Sequence, residues 1–123
     1  MSASLTPVMA TSSKTAEELR ALLSAHGWQV CQAGPATSKR EALDALVAAF
    51  DFPDYFGRNL DALWDGLTDL TEPTALVWTG WEPCAVHAAQ DWVDVVAVLK
   101  DRVNLADDPA FSVVFVAAND QRR

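Results

Sequence analysis

The sequence is poor in cations, glycine and cysteine. Its 123 residues hold nine Lys and Arg against 17 Asp and Glu, for a formal net charge of −8. A field of that sign repels nucleic acid and attracts a basic partner, so no nucleic-acid binding is expected. The five glycines are scattered, which leaves no glycine-rich loop to cradle a phosphate. No apolar run approaches membrane-spanning length, and the opening Met1 to Ala10 lacks both the basic and the continuous apolar regions of a secretory signal. The expectation is a cytoplasmic protein without a membrane partner, its two cysteines, Cys31 and Cys84, reduced. Cys84 and His87 could form a ligand pair, yet Cys31 and His26 show no matching spacing. Neither a metal nor any other cofactor is expected.

What is present points to one compact core. Half of the residues are hydrophobic and five are Trp, enough for a single soluble domain and too short a chain for two ordinary ones. The acids are unevenly spread. From Glu41 to Glu72, eight acids (Glu41, Asp44, Asp51, Asp54, Asp61, Asp65, Asp69 and Glu72) face Arg58 alone, a net of −7, while the rest of the chain is about neutral.

The densest patterning lies between Phe52 and Leu70. Set at roughly 100° per residue, Leu60, Leu63, Trp64, Leu67 and Leu70 share one side of a helix, and Asp61, Asp65 and Asp69 form a stripe opposite. The first set has the spacing of a core-facing helix. Asn59 fits its N-cap, and Asp61 stands where the helix dipole favours an anion. Asp65 and Asp69 lie past that turn, and like charges four residues apart repel by a few tenths of a kcal/mol per pair. A helix shaped only for stability would avoid them.

In chain order, the first dozen residues are rich in Ser, Thr and Ala and are expected to be mobile. Thr15 to Glu18 forms a capping box that opens a helix ending at His26-Gly27. Trp28 to Gln32 alternates as a first strand, closed by Gly34-Pro35. Ser38 to Glu41 forms a second capping box, for a helix burying Leu43, Leu46, Val47 and Phe50 and halted before Pro53, because a residue preceding proline is pushed out of helical geometry. After the acidic helix, Thr74 to Trp78 suits a buried strand. Trp81-Glu82-Pro83 begins one or two helical turns, and Trp92, Val95, Val96 and Leu99 place a helix from about Ala89 to Val103. Asp107-Asp108-Pro109 makes a turn, Phe111 to Val116 a last strand, and Asn119 to Arg123 a polar tail. Helices separating short apolar strands indicate an α/β fold with a small, largely parallel sheet.

Phe52-Pro53-Asp54-Tyr55-Phe56-Gly57, followed by Asn59-Leu60-Asp61-Ala62-Leu63-Trp64-Asp65 and Leu67-Thr68, resembles the signature of the barstar family, intracellular inhibitors of secreted bacterial ribonucleases. A weaker likeness runs from Trp28 to Ala117. The resemblance implies an α/β fold with a three-stranded parallel sheet flanked by helices over residues 28–117; it leaves uncovered the extension with its short helix over 1–27 and the polar tail over 118–123. It implies a non-catalytic protein that forms a 1:1 complex with an extracellular-type, guanyl-specific bacterial ribonuclease. By the same likeness Asp65 would enter the phosphate-binding centre of the enzyme and Asp61 would meet a further arginine. Tyr55, Asn59, Gly57, Leu60, Trp64 and Thr68 would lie in or beside the contact, and Asp101 would complete the set from a later helix; Asp69 joins the candidate contact residues as part of the carboxylate stripe. Departures from the family pattern are Phe56, Arg58, Gly66 and Leu70, and a cis Glu72–Pro73 peptide is left open.

The physical logic is independent of the family. A ribonuclease binds a polyanion, so its active site must be cationic, and carboxylates on a rigid helix can fill phosphate sites without offering a bond to cleave. The alternative is an immunity protein of the same fold directed at a different basic toxin or nuclease, a reading to which Arg58, Gly66 and Leu70 give room. An enzyme using Asp61 and Asp65 is poorly supported, since one helix face supplies few converging ligands. Simpler roles exist for single residues. Trp64 fits the core as well as the contact, Tyr55 and Phe56 could staple two helices, and Asp101 between Lys100 and Arg102 could be a surface ion pair of little worth.

Overall fold

The computed structural model describes residues 7–105 and 109–118. Among the described residues nine elements follow in order: β1 (Met9–Ser12), α1 (Ala16–Ala25), β2 (Gln29–Ala33), α2 (Lys39–Phe50), α3 (Leu60–Thr68), β3 (Thr74–Trp78), α4 (Glu82–His87), α5 (Ala89–Val103) and β4 (Phe111–Val116). The strands form one wholly parallel sheet in the order β1-β4-β3-β2, with Thr74 opposite Gln29 on one side and Phe111 on the other. The α/β architecture agrees with the sequence, but the sheet has four strands where three were expected.

The additional strand is β1, in a segment expected to be mobile. Met-Ala-Thr-Ser carries no alternation of its own, and the free edge of β4 supplies its order. The Val113 and Ala117 amides donate to the Val8 and Ser12 carbonyls at 2.9 and 2.8 Å, and the Val8 amide donates to the buried Ser112 hydroxyl at 2.9 Å. Tertiary pairing overrides weak strand propensity there. The rest of that expected mobile segment, residues 1–6, lies outside the described residues, as do Asp107, Asp108 and the tail from Asn119.

Strand periodicity sorts the core into two layers. Leu76 and Trp78 of β3, with Phe111, Val113 and Phe115 of β4, face a large layer that includes Leu43, Leu46, Leu63, Leu67, Val95 and Leu99 from α2, α3 and α5. Val77 and Val114 face the other side, where Leu19 of α1 covers them. With strands on either side and helices on both faces, every residue of β3 is buried. Trp78, Trp81, Trp92 and Phe115 lock α4 and α5 to the sheet with ring separations between 5.1 and 6.3 Å. The indole N–H groups of buried Trp78 and half-buried Trp81 donate to the Gly34 and Val116 carbonyls, both at 2.9 Å.

The helix starts follow local chemistry. Thr15 makes the full reciprocal capping box with Glu18. Ser38 accepts from the Glu41 amide as predicted, but the Glu41 carboxylate reaches Thr37 instead, at 2.8 Å from its amide and 2.6 Å from its hydroxyl. α2 ends before Pro53 can act. Asp51 takes a left-handed conformation with φ 59°, and the Asp51 and Phe52 amides bond back to the Ala48 and Val47 carbonyls, a closure that glycine usually provides. No peptide bond among the described residues is cis, so Glu72–Pro73 is trans.

Candidate functional site: an acidic helix and its loop

α3 is nine residues long, too short to be stable alone in water. Its order comes from partners at both ends and on one face. The Asn59 side chain accepts from the Ala62 amide at 2.7 Å. At the other end, Arg102 of α5 donates from Nε to the Leu67 carbonyl at 2.9 Å, and a second guanidinium nitrogen donates to the Pro109 carbonyl at 2.8 Å. Arg102 is fully buried, with its guanidinium over the Phe111 ring. It therefore belongs to the core and not to a surface pair with Asp101, and it places a cation at the negative end of the α3 dipole.

On its inner side α3 buries Leu63, Gly66 and Leu67, while Leu60 and Leu70 pack half-buried against the same layer. Gly66 has a packing role. A Cβ built there would lie 2.5 Å from Cζ of Phe52 and 2.9 Å from Cζ of Phe56. The two rings stack at 4.5 Å, and Phe50 extends the stack to Phe52 at 5.4 Å. A glycine in a helix interior costs about 1 kcal/mol relative to alanine, and here the missing side chain is the seat for two aromatic rings. Phe52 and Phe56 thus staple the loop to α3. Tyr55 does not take part, being 89% exposed at the loop tip.

Asp61, Asp65 and Asp69 are all exposed, the first two on α3 and Asp69 as its C-terminal capping residue. None makes an ion pair with a described residue. Arg58, the one base of the acidic segment, turns the other way. Its Nε donates to Asp44 of α2 at 2.7 Å, and Nη1 donates to the Phe56 carbonyl and, at 3.4 Å, to the Asp54 carbonyl. Arg40 also reaches Asp44, at 3.4 Å. The Arg58 hydrogen bond, with a smaller contribution from Arg40, holds the Asp44 carboxyl below its ordinary value of 3.8.

The remaining residues singled out in the sequence divide by exposure. Asn59, Gly57 and Asp101 are exposed, whereas Leu60, Trp64 and Thr68 are half-buried beside the stripe. The Thr68 hydroxyl donates back to the Trp64 and Asp65 carbonyls, each at 3.1 Å. Gly57 lies close under the cap, since a Cβ there would meet Asn59 Nδ2 at 3.0 Å. Asp61, Asp65, Asp69, Tyr55, Asn59 and Gly57 thus come from one continuous loop and helix, and Asp101 is carried by the helix whose Arg102 grips the end of α3. Cys84 is buried and His87 exposed, which gives that pair no common face. The described residues contain no group of three or more His, Cys, Asp or Glu placed to hold a metal ion, and no helix among them is long and apolar enough to cross a membrane.

Sequence reasoning missed Arg102, Asp44 and Phe52 as supports of this surface. The i, i+4 aromatics Phe52 and Phe56 ahead of a helix with an internal glycine were a usable signal. Arg102 offered none, because its contact with Leu67 spans 35 residues.

A stretch of 59 residues, 47% of this chain, is 42% identical to the protein named "Putative ribonuclease inhibitor YrdF" of Bacillus subtilis (strain 168), and covers 65% of that relative's length. The family model described as "Barstar (barnase inhibitor)" matches residues 29–117, from the start of β2 to just past β4. That match takes in well over half of the chain, and the protein belongs to the barstar family.

Proposed function

We propose that this protein is a ribonuclease inhibitor that acts by occupation. The carboxylates of Asp61, Asp65 and Asp69 take the places of substrate phosphates in a cationic active site, and Tyr55, Asn59, Gly57, Leu60, Trp64, Thr68 and Asp101 border the contact. The observation that carries this is the set of three exposed carboxylates, one helical turn apart, with no described cation paired to them. Such a row is held ready by packing on its opposite side, so little ordering is needed on encounter, and preorganisation of that kind favours affinity. Opposite fields also steer the encounter, so association is fast and slows as salt rises. No catalytic step is assigned to the protein; it blocks one in its partner.

The partner class is a guanyl-specific microbial ribonuclease of the secreted type, bound one to one. Gly66 and Leu70 take part in internal packing, and Arg58, Gly66 and Leu70 still leave room for an immunity protein of the same fold against a different basic toxin. The test is a titration of the purified protein into such a ribonuclease while RNA cleavage is followed. Loss of activity reaching completion at one equivalent is the expected outcome. A folded protein that leaves cleavage untouched would refute the ribonuclease and direct the acidic surface to another basic toxin.

A further inference from the structure

We propose that Arg58 is a positioning residue, bridging Asp44 on α2 to the backbone carbonyls of Asp54 and Phe56 so that the loop carrying Tyr55 is already in its binding shape. This rests on the acidic face of α3 and its loop being the partner-binding surface.

The loop has few other restraints on its solvent side. Its inner side is stapled by Phe52 and Phe56 over Gly66, and one turn is closed by the Phe56 amide on the Pro53 carbonyl at 2.9 Å. Tyr55 itself is 89% exposed, so its place is set by the backbone on either side of it. Arg58 holds that backbone. Its side chain is 23% exposed and reaches three acceptors at once, the Asp44 carboxylate at 2.7 Å and the carbonyls of Phe56 and Asp54. A guanidinium fork can serve three acceptors in fixed directions, whereas a lysine ammonium acts as a point charge on a flexible stem.

The clasp also separates two physical effects that usually change together. Removing Arg58 makes a negative surface more negative, which by steering alone would strengthen attraction to a basic partner. Removing a clasp lowers the fraction of molecules with the loop in its competent shape and weakens apparent affinity by that fraction. The two effects have opposite signs.

Tyr55 is the chain's single tyrosine, so the full chain labelled with 3-fluorotyrosine gives one fluorine resonance, at the loop tip. In R58A, R58K and D44A, checked for folding by circular dichroism, that resonance is expected to narrow and move toward free fluorotyrosine. The R58A/D44A double variant is expected to move it no further, since the two residues act as one unit. Binding of R58A and R58K to a guanyl-specific microbial ribonuclease is expected to weaken about fivefold or more. A Tyr55 resonance unmoved in folded R58A, a wild-type signal in R58K, or unchanged or tighter binding by R58A would overturn the proposal. If the unaltered protein does not inhibit the ribonuclease, the inhibitor assignment fails by itself, and the fluorine comparison in the free protein still decides whether Arg58 holds the loop.

Discussion

Replacing Asp65 by alanine should move stability and binding in opposite directions. Asp65 is exposed, has no ion-pair partner among the described residues, and lies four residues from both Asp61 and Asp69. Each like-charge pair costs about 0.2–0.5 kcal/mol, and alanine exceeds aspartate in helix propensity by roughly 0.6 kcal/mol. The free protein should therefore gain about 1 kcal/mol, a rise in Tm of about 4 °C for a domain of this size. In the proposed complex the same change would leave a cation of the ribonuclease buried without its partner, at a cost of about 3 kcal/mol or more. That is a loss of more than about a hundredfold in affinity. Thermal unfolding and inhibition titrations on one preparation measure both. The control is E17A on α1, which covers the opposite face of the sheet. If D65A lowers Tm, the stripe is not the uncompensated repulsion described above. If E17A weakens binding as much as D65A, total charge and not this site attracts the partner.

Other perturbations probe the supports. Gly66→Ala gains about 1 kcal/mol of helix propensity but drives a methyl into Phe52 and Phe56, at an overpacking cost of about 1–3 kcal/mol. A net loss of about 1 kcal/mol in urea unfolding, with weaker inhibition, is expected, and a more stable variant would contradict the aromatic seat. Arg102→Leu takes buried donors from the Leu67 and Pro109 carbonyls, so urea unfolding should show a loss of about 3 kcal/mol; under 1 kcal/mol would deny Arg102 its capping role. Because Arg58 depresses the folded Asp44 pKa, the stabilisation is complete above the unfolded value and is lost as pH falls through the folded one. A carboxyl-carbon titration should place the Asp44 midpoint below 3.8 and find it raised in R58A. A wild-type midpoint at or above 3.8 would mean that the Arg58 bond does not persist in solution.

What the sequence made legible was local. The bounds of α5, the buried strands Thr74–Trp78 and Phe111–Val116, and the Asn59 and Thr15 caps depend on periodicity and on side chains within a few residues. β1 was illegible because its order belongs to the edge of β4 rather than to Met9–Ser12. The end of α2 was traced to Pro53, although the left-handed Asp51 two residues earlier already stops it. Asp44 looked like one more acid in an acidic block and is instead the anchor of Arg58. Neither Asp44 nor Asp51 is a neutral reference acid for mutagenesis, because Asp44 anchors Arg58 and Asp51 closes α2 in a left-handed conformation.

The acidic stripe is tolerable because almost nothing that orders α3 depends on the face that carries it. The repulsion among Asp61, Asp65 and Asp69 amounts to about 1 kcal/mol at most. Burying Leu63 and Leu67, 3% and 0% exposed, contributes about 1.5–3 kcal/mol each. The Asn59 cap, the Arg102 grip on the Leu67 carbonyl and the aromatic seat at Gly66 add further support from the helix ends and inner side. Arg58, the one base of the segment, is occupied by Asp44 and by loop carbonyls. An acid outside the stripe thus keeps a cation away from it, and the three carboxylates stay uncompensated on a surface that does not need them for its own stability.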